Sequence, residues 1–191
     1  MLIHDGTGGG YAAKVDSDNE LFTFSVTQTE DQKAVRAGRS YNINTGLIAY
    51  TSNGESSMLY VKNNETKDLI VDAIAVGVGT LGGTVTDSTY VTVVRNPTGG
   101  DIISDATAVA MNQNRNFGSS STLTVDAYKG KEAGTMTGGN DIVLFQMDGN
   151  ERLFAGINLV LTPGDSIGLK IDLNASTGGN AYGAVVLHKS D

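Results

Sequence analysis

Only two histidines are available for acid–base or metal chemistry, and His4 and His188 stand at opposite ends of the 191-residue chain. A Ser-His-Asp triad needs one of them beside a nucleophile and an acid. The chain has neither a G-x-S-x-G nor an H-E-x-x-H motif to mark such a site. His188 falls on the last predicted strand and is interpreted as a packed or rim residue. A hydrolase is kept as a third hypothesis, which loss of activity on changing His188 would support.

Two other patterns suggest ligand chemistry, and both have simpler explanations. Gly77 to Gly82 match G-x-G-x-x-G, but the Gly/Thr-rich residues that follow are poor helix formers, so no helix N-terminus is predicted to hold a pyrophosphate. Asp16 to Glu20 are acidic but lack the central glycine and spaced glutamate of a calcium loop. The remaining carboxylates are scattered along the chain. The sequence therefore predicts no catalytic residue, no cofactor and no metal site.

Composition indicates a β protein with an acidic surface. The chain has 25 Gly, no Cys and a formal net charge of −8, with 39% hydrophobic residues. An acidic surface repels phosphate backbones, so nucleic acid is not an expected partner. Without cysteine there is no disulfide, as in a protein made in a reducing cytosol. Neither a signal peptide nor an apolar run long enough for a membrane helix is recognised, so no membrane association is predicted.

From residue 38 onward the pattern predicts eight to ten short strands and no long helix. Turn signals recur every ~8–12 residues, which is typical of a β-sandwich or barrel. Strands are predicted at Tyr41–Thr51 with a bulge at Gly46, Ser57–Lys62, Asp68–Gly79, Thr89–Arg95, Thr122–Tyr128, Asp141–Met147 and Tyr182–His188. The loops Thr80–Ser88 and Lys129–Asn140 are rich in Gly and Thr, and the second is expected to be exposed.

The most regular stretch is Leu153–Asp172, in which apolar and polar residues alternate on either side of Pro163-Gly164. Proline fixes φ and glycine accepts positive φ, so the pair marks a turn. The stretch is therefore predicted to be an antiparallel hairpin, with Tyr182–His188 as the closing strand of the fold. Ser52-Asn53-Gly54 gives a second hairpin signal.

Residues 1–37 have a different character and are predicted to form an extended arm. A glycine tract precedes scattered apolar residues, Leu21–Thr27 is a candidate short strand, and Glu30–Ala37 is a candidate helical turn. The segment has too few apolar residues for a core, so it must dock on its own domain, a neighbouring copy or another protein. The candidate partner-binding residues are Tyr11, Val15, Leu21, Phe22 and Phe24.

Several segments together resemble structural proteins of tailed bacteriophages. They are Asp5–Leu21, Ser40–Gly46, Leu59–Glu65, Arg95–Gly100 and Asn114–Ser120. Leu161–Ile167 also resembles the L-x-P-G-x-S-I turn found near the end of jelly-roll domains. Where family members carry Asn-Arg-Leu in the arm, this chain has Asn19-Glu20-Leu21.

The resemblance implies an all-β chain: a jelly-roll β-sandwich over residues 38–191 behind the arm of residues 1–37. It implies a non-enzymatic virion component, made in the host cytoplasm and often trimeric. The leading hypothesis is a capsid decoration (cement) protein on the capsid surface, with the major capsid protein or other virion proteins as partners. The alternative is a tail, fibre or adaptor protein of the same virion, for which Thr80–Ser88 and Lys129–Asn140 would be the contact loops.

Overall fold

The computed structural model describes residues 2–4, 12–14, 28–50, 54–80, 88–103, 111–147, 151–173 and 179–191. Within them lie one α-helix, α1, and thirteen β-strands. In chain order the elements are β1 (Leu2–His4), β2 (Ala12–Lys14), α1 (Glu30–Arg36), β3 (Ser40–Asn44), β4 (Ile48–Tyr50), β5 (Glu55–Asn63), β6 (Leu69–Thr80), β7 (Thr89–Arg95), β8 (Met111–Asn114), β9 (Val125–Lys129), β10 (Asn140–Met147), β11 (Arg152–Leu161), β12 (Ser166–Leu173) and β13 (Gly179–Lys189).

Two antiparallel sheets form a sandwich. The front sheet has the strand order β10-β7-β12-β5-β9, and the back sheet has the order β11-β6-β13-β3-β8, with β4 also paired to β13. Eight of these strands form the sandwich, with β3, β13, β6 and β11 facing β5, β12, β7 and β10. In chain order they alternate between the sheets except at β7 and β10, which are neighbours in the front sheet. This is the jelly-roll arrangement, and it confirms the predicted fold class. Strands β8 and β9 come from the long β7–β10 connection and extend one side of each sheet.

The core lies between the sheets and is built from alternate residues of the strands. Ile43, Leu59, Val71, Leu169 and Leu187 are fully buried there. Because side chains of a strand alternate between its two faces, every second residue of the same strands points to an outer face. The fold therefore presents two outer faces and the edge strands of its two sheets. The rest of the chain covers these surfaces to different extents.

The helix α1 confirms the predicted helical turn and fixes the start of the sandwich. Thr29 and Gln32 form a reciprocal capping box, in which each side chain bonds the other's backbone N–H. Ala34 is buried by the helix's packing against the sandwich. The candidate strand Leu21–Thr27 lies outside the described residues. Whether residues 1–37 act as an arm stays a prediction, although β1 and β2 pair with each other as an antiparallel ribbon.

The predicted hairpin Leu153–Asp172 is wrong in its pairing although its strands and turn are present. β11 pairs with β6 in the back sheet, whereas β12 pairs with β5 and β7 in the front sheet. Pro163-Gly164 therefore turns the chain from one sheet to the other. The turn closes through Asp165 N–H donating to the Thr162 carbonyl at 2.9 Å. Alternation reports that a segment is extended and half-buried, but it carries no information about which strand is its partner.

Two further predictions are corrected. The hairpin signal at Ser52–Gly54 joins β4 of the back sheet to β5 of the front sheet, so it is another crossing between sheets. The loop Lys129–Asn140 is only partly exposed, because it packs on the outer face of the front sheet. There Gly130 N–H donates to the Met58 carbonyl at 2.7 Å, and Met136 is buried.

Candidate functional site

The structure does not describe the five predicted arm residues Tyr11, Val15, Leu21, Phe22 and Phe24. Of the glycines of the G-x-G-x-x-G pattern, Gly77 and Gly79 lie within the extended strand β6. The aromatic ring of Tyr182 crosses Gly77 so closely that a Cβ there would lie 2.2 Å from a ring carbon. This glycine is therefore required by side-chain packing on the back sheet.

His188 is the centre of a polar network at one end of the back sheet. Its Nδ1 lies 3.0 Å from both carboxylate oxygens of Asp72 on β6. Above them, Asp31 of α1 accepts a hydrogen bond from Arg115, which also donates to the Ser40 hydroxyl at 2.9 Å. Burial raises the pKa of Asp72, and the hydrogen bond from His188 opposes that rise.

This network resembles a metal site in its ligand types, since single ligand atoms of Asp31, Asp72 and His188 lie within 4.8 Å of one another. The Arg115 guanidinium, however, already neutralises Asp31 and would repel a cation beside it. The Ser40 hydroxyl contacts Asp31, Arg115 and the Leu187 carbonyl, an arrangement unlike the serine–histidine hydrogen bond of a triad. The network serves to hold α1 against the back sheet.

Beyond this network the outer face of the back sheet is open and forms what we call the back groove. Its floor is made of small or amide side chains, Asn42, Ala75, Ala184 and Val186, and its two walls are the exposed rings of Phe117 and Phe154. A cavity of about 460 Å³ spans these residues. A second cavity of about 360 Å³ shares Asn42 and Ala184 and continues the groove toward Leu47 and Tyr182.

The wall residues are unusually exposed for their size. Phe117 is 93% exposed on the turn after β8, and Phe154 is 73% exposed on the edge strand β11. Leu47 is 69% exposed at the other end of the groove. Contiguous exposed apolar surface of this kind marks a contact site, whereas a single exposed apolar residue needs no explanation.

The outer face of the front sheet provides the contrast, because the chain covers part of it itself. Tyr60, Val94, Ile102 and Met136 form a second apolar cluster between this face and the β7–β10 connection. Tyr128 stacks on Tyr60 with ring centroids 6.0 Å apart. This cluster covers one end of the outer face of the front sheet, while Leu144 on the same face stays exposed. Among the described residues, no such cluster covers the back groove.

One side of the sandwich, formed by the adjacent edge strands β10 and β11, is also incompletely closed. Inward-facing residues there are only half-buried against the core; they are Val143, Phe145, Leu153, Ala155, Ile157 and Leu159. Ile142, Leu144 and Val160 are exposed beside them. A cavity of about 190 Å³ opens between the two strands near Arg95 and Ser166. We call this side the open edge.

Long apolar edge strands are templates for pairing with another chain unless charges, prolines or bulges protect them. β11 has one charged residue, Arg152, and β10 has one, Asp141. Each strand has a register shift, and Asn158 in β11 takes a positive φ of 45°. The open edge is therefore interrupted by bulges but otherwise unprotected.

The sequence contained the residues of both surfaces but not their placement. Phe154 and Leu144 fit the alternating strand pattern equally well as core or as surface residues. Only the topology shows that their strands stand at sheet edges. Phe117 lay in a polar run, Asn112–Ser121, and an aromatic residue in such a run was the one available signal of a contact site.

Comparisons with known proteins add fold-level similarity only. No protein-family model matches the chain. Among curated proteins, none matches at a significant level. The chain is similar to a chain in the structure of infectious bursal disease virus strain Gx, with 11% identity and a TM-score of 0.33 over 78% of this chain. It is also similar to a chain of the T13 particle of that virus, with 16% identity and a TM-score of 0.28 over 78%. It spans 31% of the length of each.

A search of the described part of the chain for membrane-spanning segments gives a negative result, since it holds no helix both long and apolar enough to cross a bilayer.

Proposed function

We propose that this protein is a non-enzymatic virion structural protein, and specifically a decoration protein that binds the capsid surface of a tailed bacteriophage as a homotrimer. The observation that carries the proposal is the uneven coverage of the jelly roll. The chain covers part of the outer face of its front sheet with its own loop and leaves the back groove and the open edge apolar and uncovered. Surfaces of that kind suit contacts with other proteins.

The physical basis is a stiff body with several modest contact surfaces. A jelly roll with a large buried core between two sheets is a stiff body, so its contacts cost little conformational entropy. Repetition over a symmetric shell multiplies such contacts through avidity, because each further contact forms at high effective concentration. In a trimer, the open edge or the back groove of one copy would be buried against the next copy.

The predicted arm, residues 1–37, is proposed as the second binding element. Its apolar residues Tyr11, Val15, Leu21, Phe22 and Phe24 would be buried only on a docking surface, because the arm has no core of its own. An extended arm can add main-chain hydrogen bonds and side-chain anchors to a neighbour's sheet.

The net charge limits the kinds of surface that the chain can bind. At −8, the chain repels other acidic surfaces at long range and favours a basic or neutral protein surface. Nucleic acid would require a basic patch that this composition does not favour. The major capsid protein or another virion protein is therefore the proposed partner, with synthesis in the host cytoplasm.

Cryo-electron microscopy of virions that carry the chain tests this proposal. Density for the sandwich at regular positions on the capsid surface is the expected result. Density confined to the tail, or virions that lack the chain altogether, would overturn it. Binding of the purified chain to capsids stripped of it gives a second readout, with the outward-facing variant Phe154→Asp compared against wild type.

One observation favours a second candidate, a tail, fibre or adaptor protein that contacts the host surface. The back groove combines the exposed rings of Phe117 and Phe154 with the side-by-side amides of Asn42 and Gln113, which are cross-strand partners. Aromatic rings and amides together are suited to sugars as well as to peptides. Loss of glycan binding by the purified protein on changing Phe154 would favour this candidate.

A further inference from the structure

We propose that residues 21–27 of one copy bind in the back groove of a neighbouring copy, so that the arm and the groove are the two halves of the trimer interface. The inference rests on the proposed trimeric state and names the partner of the predicted arm residues. A ring of three needs a heterologous interface, in which two different surfaces of the same chain meet. The arm and the back groove are two such surfaces.

The first support is the pattern of residues 21–27, Leu-Phe-Thr-Phe-Ser-Val-Thr. Phe22, Phe24 and Val26 alternate with Thr23 and Ser25. In an extended segment these three side chains fall on one face, and the two hydroxyl residues fall on the other. Such a segment has one apolar face to bury and one polar face to leave in water, as expected for a strand laid across an apolar surface.

The second support is the match in size between segment and groove. Seven extended residues span about 23 Å at ~3.3 Å per residue. The groove floor follows β13 from Val186 to Tyr182 and continues to Leu47, and neighbouring strands across the sheet stand about 4.8 Å apart. The small side chains of Ala75 and Ala184 leave depth for phenylalanine rings between the walls formed by Phe117 and Phe154.

The third support is the position of the arm's root. Residue 27 is followed two positions later by Thr29, the N-cap of α1, and α1 packs on β3 and β13 of the back sheet. Asp31 near the start of α1 is fixed by its contacts with Arg115 and Ser40. The root of the arm at Gln28 and Thr29 therefore lies at the end of the back sheet that borders the back groove.

Disulfide trapping tests the pairing, and the chain is well suited to it because it has no cysteine. The single variants Phe22→Cys and Val186→Cys are refolded together in equal amounts and oxidised. The expected result is a disulfide-linked pair that contains one copy of each variant. Thr23→Cys, on the opposite face of the segment, and Thr66→Cys, on the exposed turn between β5 and β6, are the matched controls and should yield at least about tenfold less of this product.

A chain that carries Phe22→Cys and Val186→Cys together separates the alternatives. Oxidation into linked multimers supports exchange between copies. A closed monomeric loop would show that the arm covers its own groove and would overturn the proposal, as would the absence of any cross-link between these positions.

Light scattering coupled to gel filtration provides the second measurement. The full chain is expected at three times the 19.9 kDa of one chain, and a chain that starts at Gln28 should run as a monomer. Phe154→Asp changes a largely exposed wall residue, so the fold should be retained while association weakens at least about tenfold. Thr66→Asp, on the exposed turn between β5 and β6 and outside both the groove and the open edge, should remain trimeric. A trimer that persists in Phe154→Asp and in the shortened chain would overturn the inference.

These experiments use the purified protein alone and therefore fail independently of the proposed function. An exchanged-arm trimer that does not bind capsids would overturn the decoration role and leave the inference standing. Capsid binding by a chain without arm exchange would do the reverse.

Discussion

Replacing Asn63 should destabilise the sandwich more than replacing any neighbouring polar residue of its turn, because this side chain joins both sheets. Asn63 ends β5 in the front sheet and is fully buried. Its amide nitrogen donates to the Lys67 carbonyl at 3.0 Å and to the Leu161 carbonyl, at the end of β11 in the back sheet, at 2.8 Å. Its amide oxygen accepts from the Glu65 N–H at 2.8 Å.

The size of the loss in unfolding free energy depends on which polar groups each substitution leaves unpaired. Asn63→Ala removes three hydrogen bonds at about 1 kcal/mol each and leaves the buried Leu161 carbonyl without its donor, so a loss of about 2–4 kcal/mol is expected. Asn63→Asp preserves the shape but points a carboxylate at two carbonyl oxygens. Burying an unpaired charge costs about 3–5 kcal/mol, so at pH 7 the isosteric change should be the worse of the two.

The pH dependence of the difference in stability between Asn63→Asp and Asn63→Ala provides a sharper test. Burial raises the pKa of the introduced carboxyl in the folded state above its unfolded value of about 3.9. A group with a raised folded pKa destabilises the fold at high pH, and that penalty disappears below the unfolded pKa, where both states are protonated. A protonated carboxyl also regains one donor. The gap between Asn63→Asp and Asn63→Ala should therefore close by about pH 3.5.

Urea unfolding followed by circular dichroism measures these free energies. With a slope of about 2–3 kcal/mol per molar, Asn63→Ala should lower the midpoint by about 1 M. The exposed neighbour Asn64 supplies the control, and Asn64→Asp should change the free energy of unfolding by less than about 0.5 kcal/mol. An Asn63→Asp variant as stable as Asn63→Ala at pH 7, or a gap that persists at pH 3.5, would refute this account of the turn.

Two further outcomes follow from local geometry. Gly130→Ala should cost about 1–3 kcal/mol in the same urea assay, because the added Cβ would lie 1.9 Å from the backbone oxygen of Ser57; full stability would refute the close packing of this loop. Asp165 has a pKa lowered chiefly by its hydrogen bond from Thr162, so its contribution to stability is present above the unfolded pKa of about 3.9 and is lost as pH falls through the folded value. Asp165→Asn should therefore be destabilising at pH 7 and closer to neutral in acid, and an equal effect at both pH values would argue against that contribution.

The positions of the strands could be predicted from the sequence because they depend on local properties. Alternation along Thr89–Arg95 and Asp141–Met147 reports the two faces of a strand, and these segments correspond to β7 and β10. The capping box of Thr29 and Gln32 is local in the same sense, because both of its hydrogen bonds form within the four residues 29–32.

Strand pairing could not be predicted in this way because it is decided by contacts far apart in the sequence. Pro163-Gly164 forms the same tight turn whether the following strand returns to β11 or crosses to the other sheet. The crossing is selected by docking of the turn, in which Gly164 N–H donates to the Asn63 carbonyl and Asn96 bonds Asp165. These partners lie about 70 to 100 residues away, and no local pattern contains them.

The same limit explains why the candidate contact surfaces appeared only with the fold. An outward residue on a covered face and one on an uncovered face have identical patterns, but only the second can contact another chain. The long β7–β10 connection covers one end of the front sheet, where its apolar residues Ile102 and Met136 are buried. On the back sheet, the described chain packs α1 against β3 and β13 and leaves the back groove open. The back groove is therefore the uncovered apolar surface for which we propose a partner, and the predicted arm of residues 1–37 is the partner that we propose.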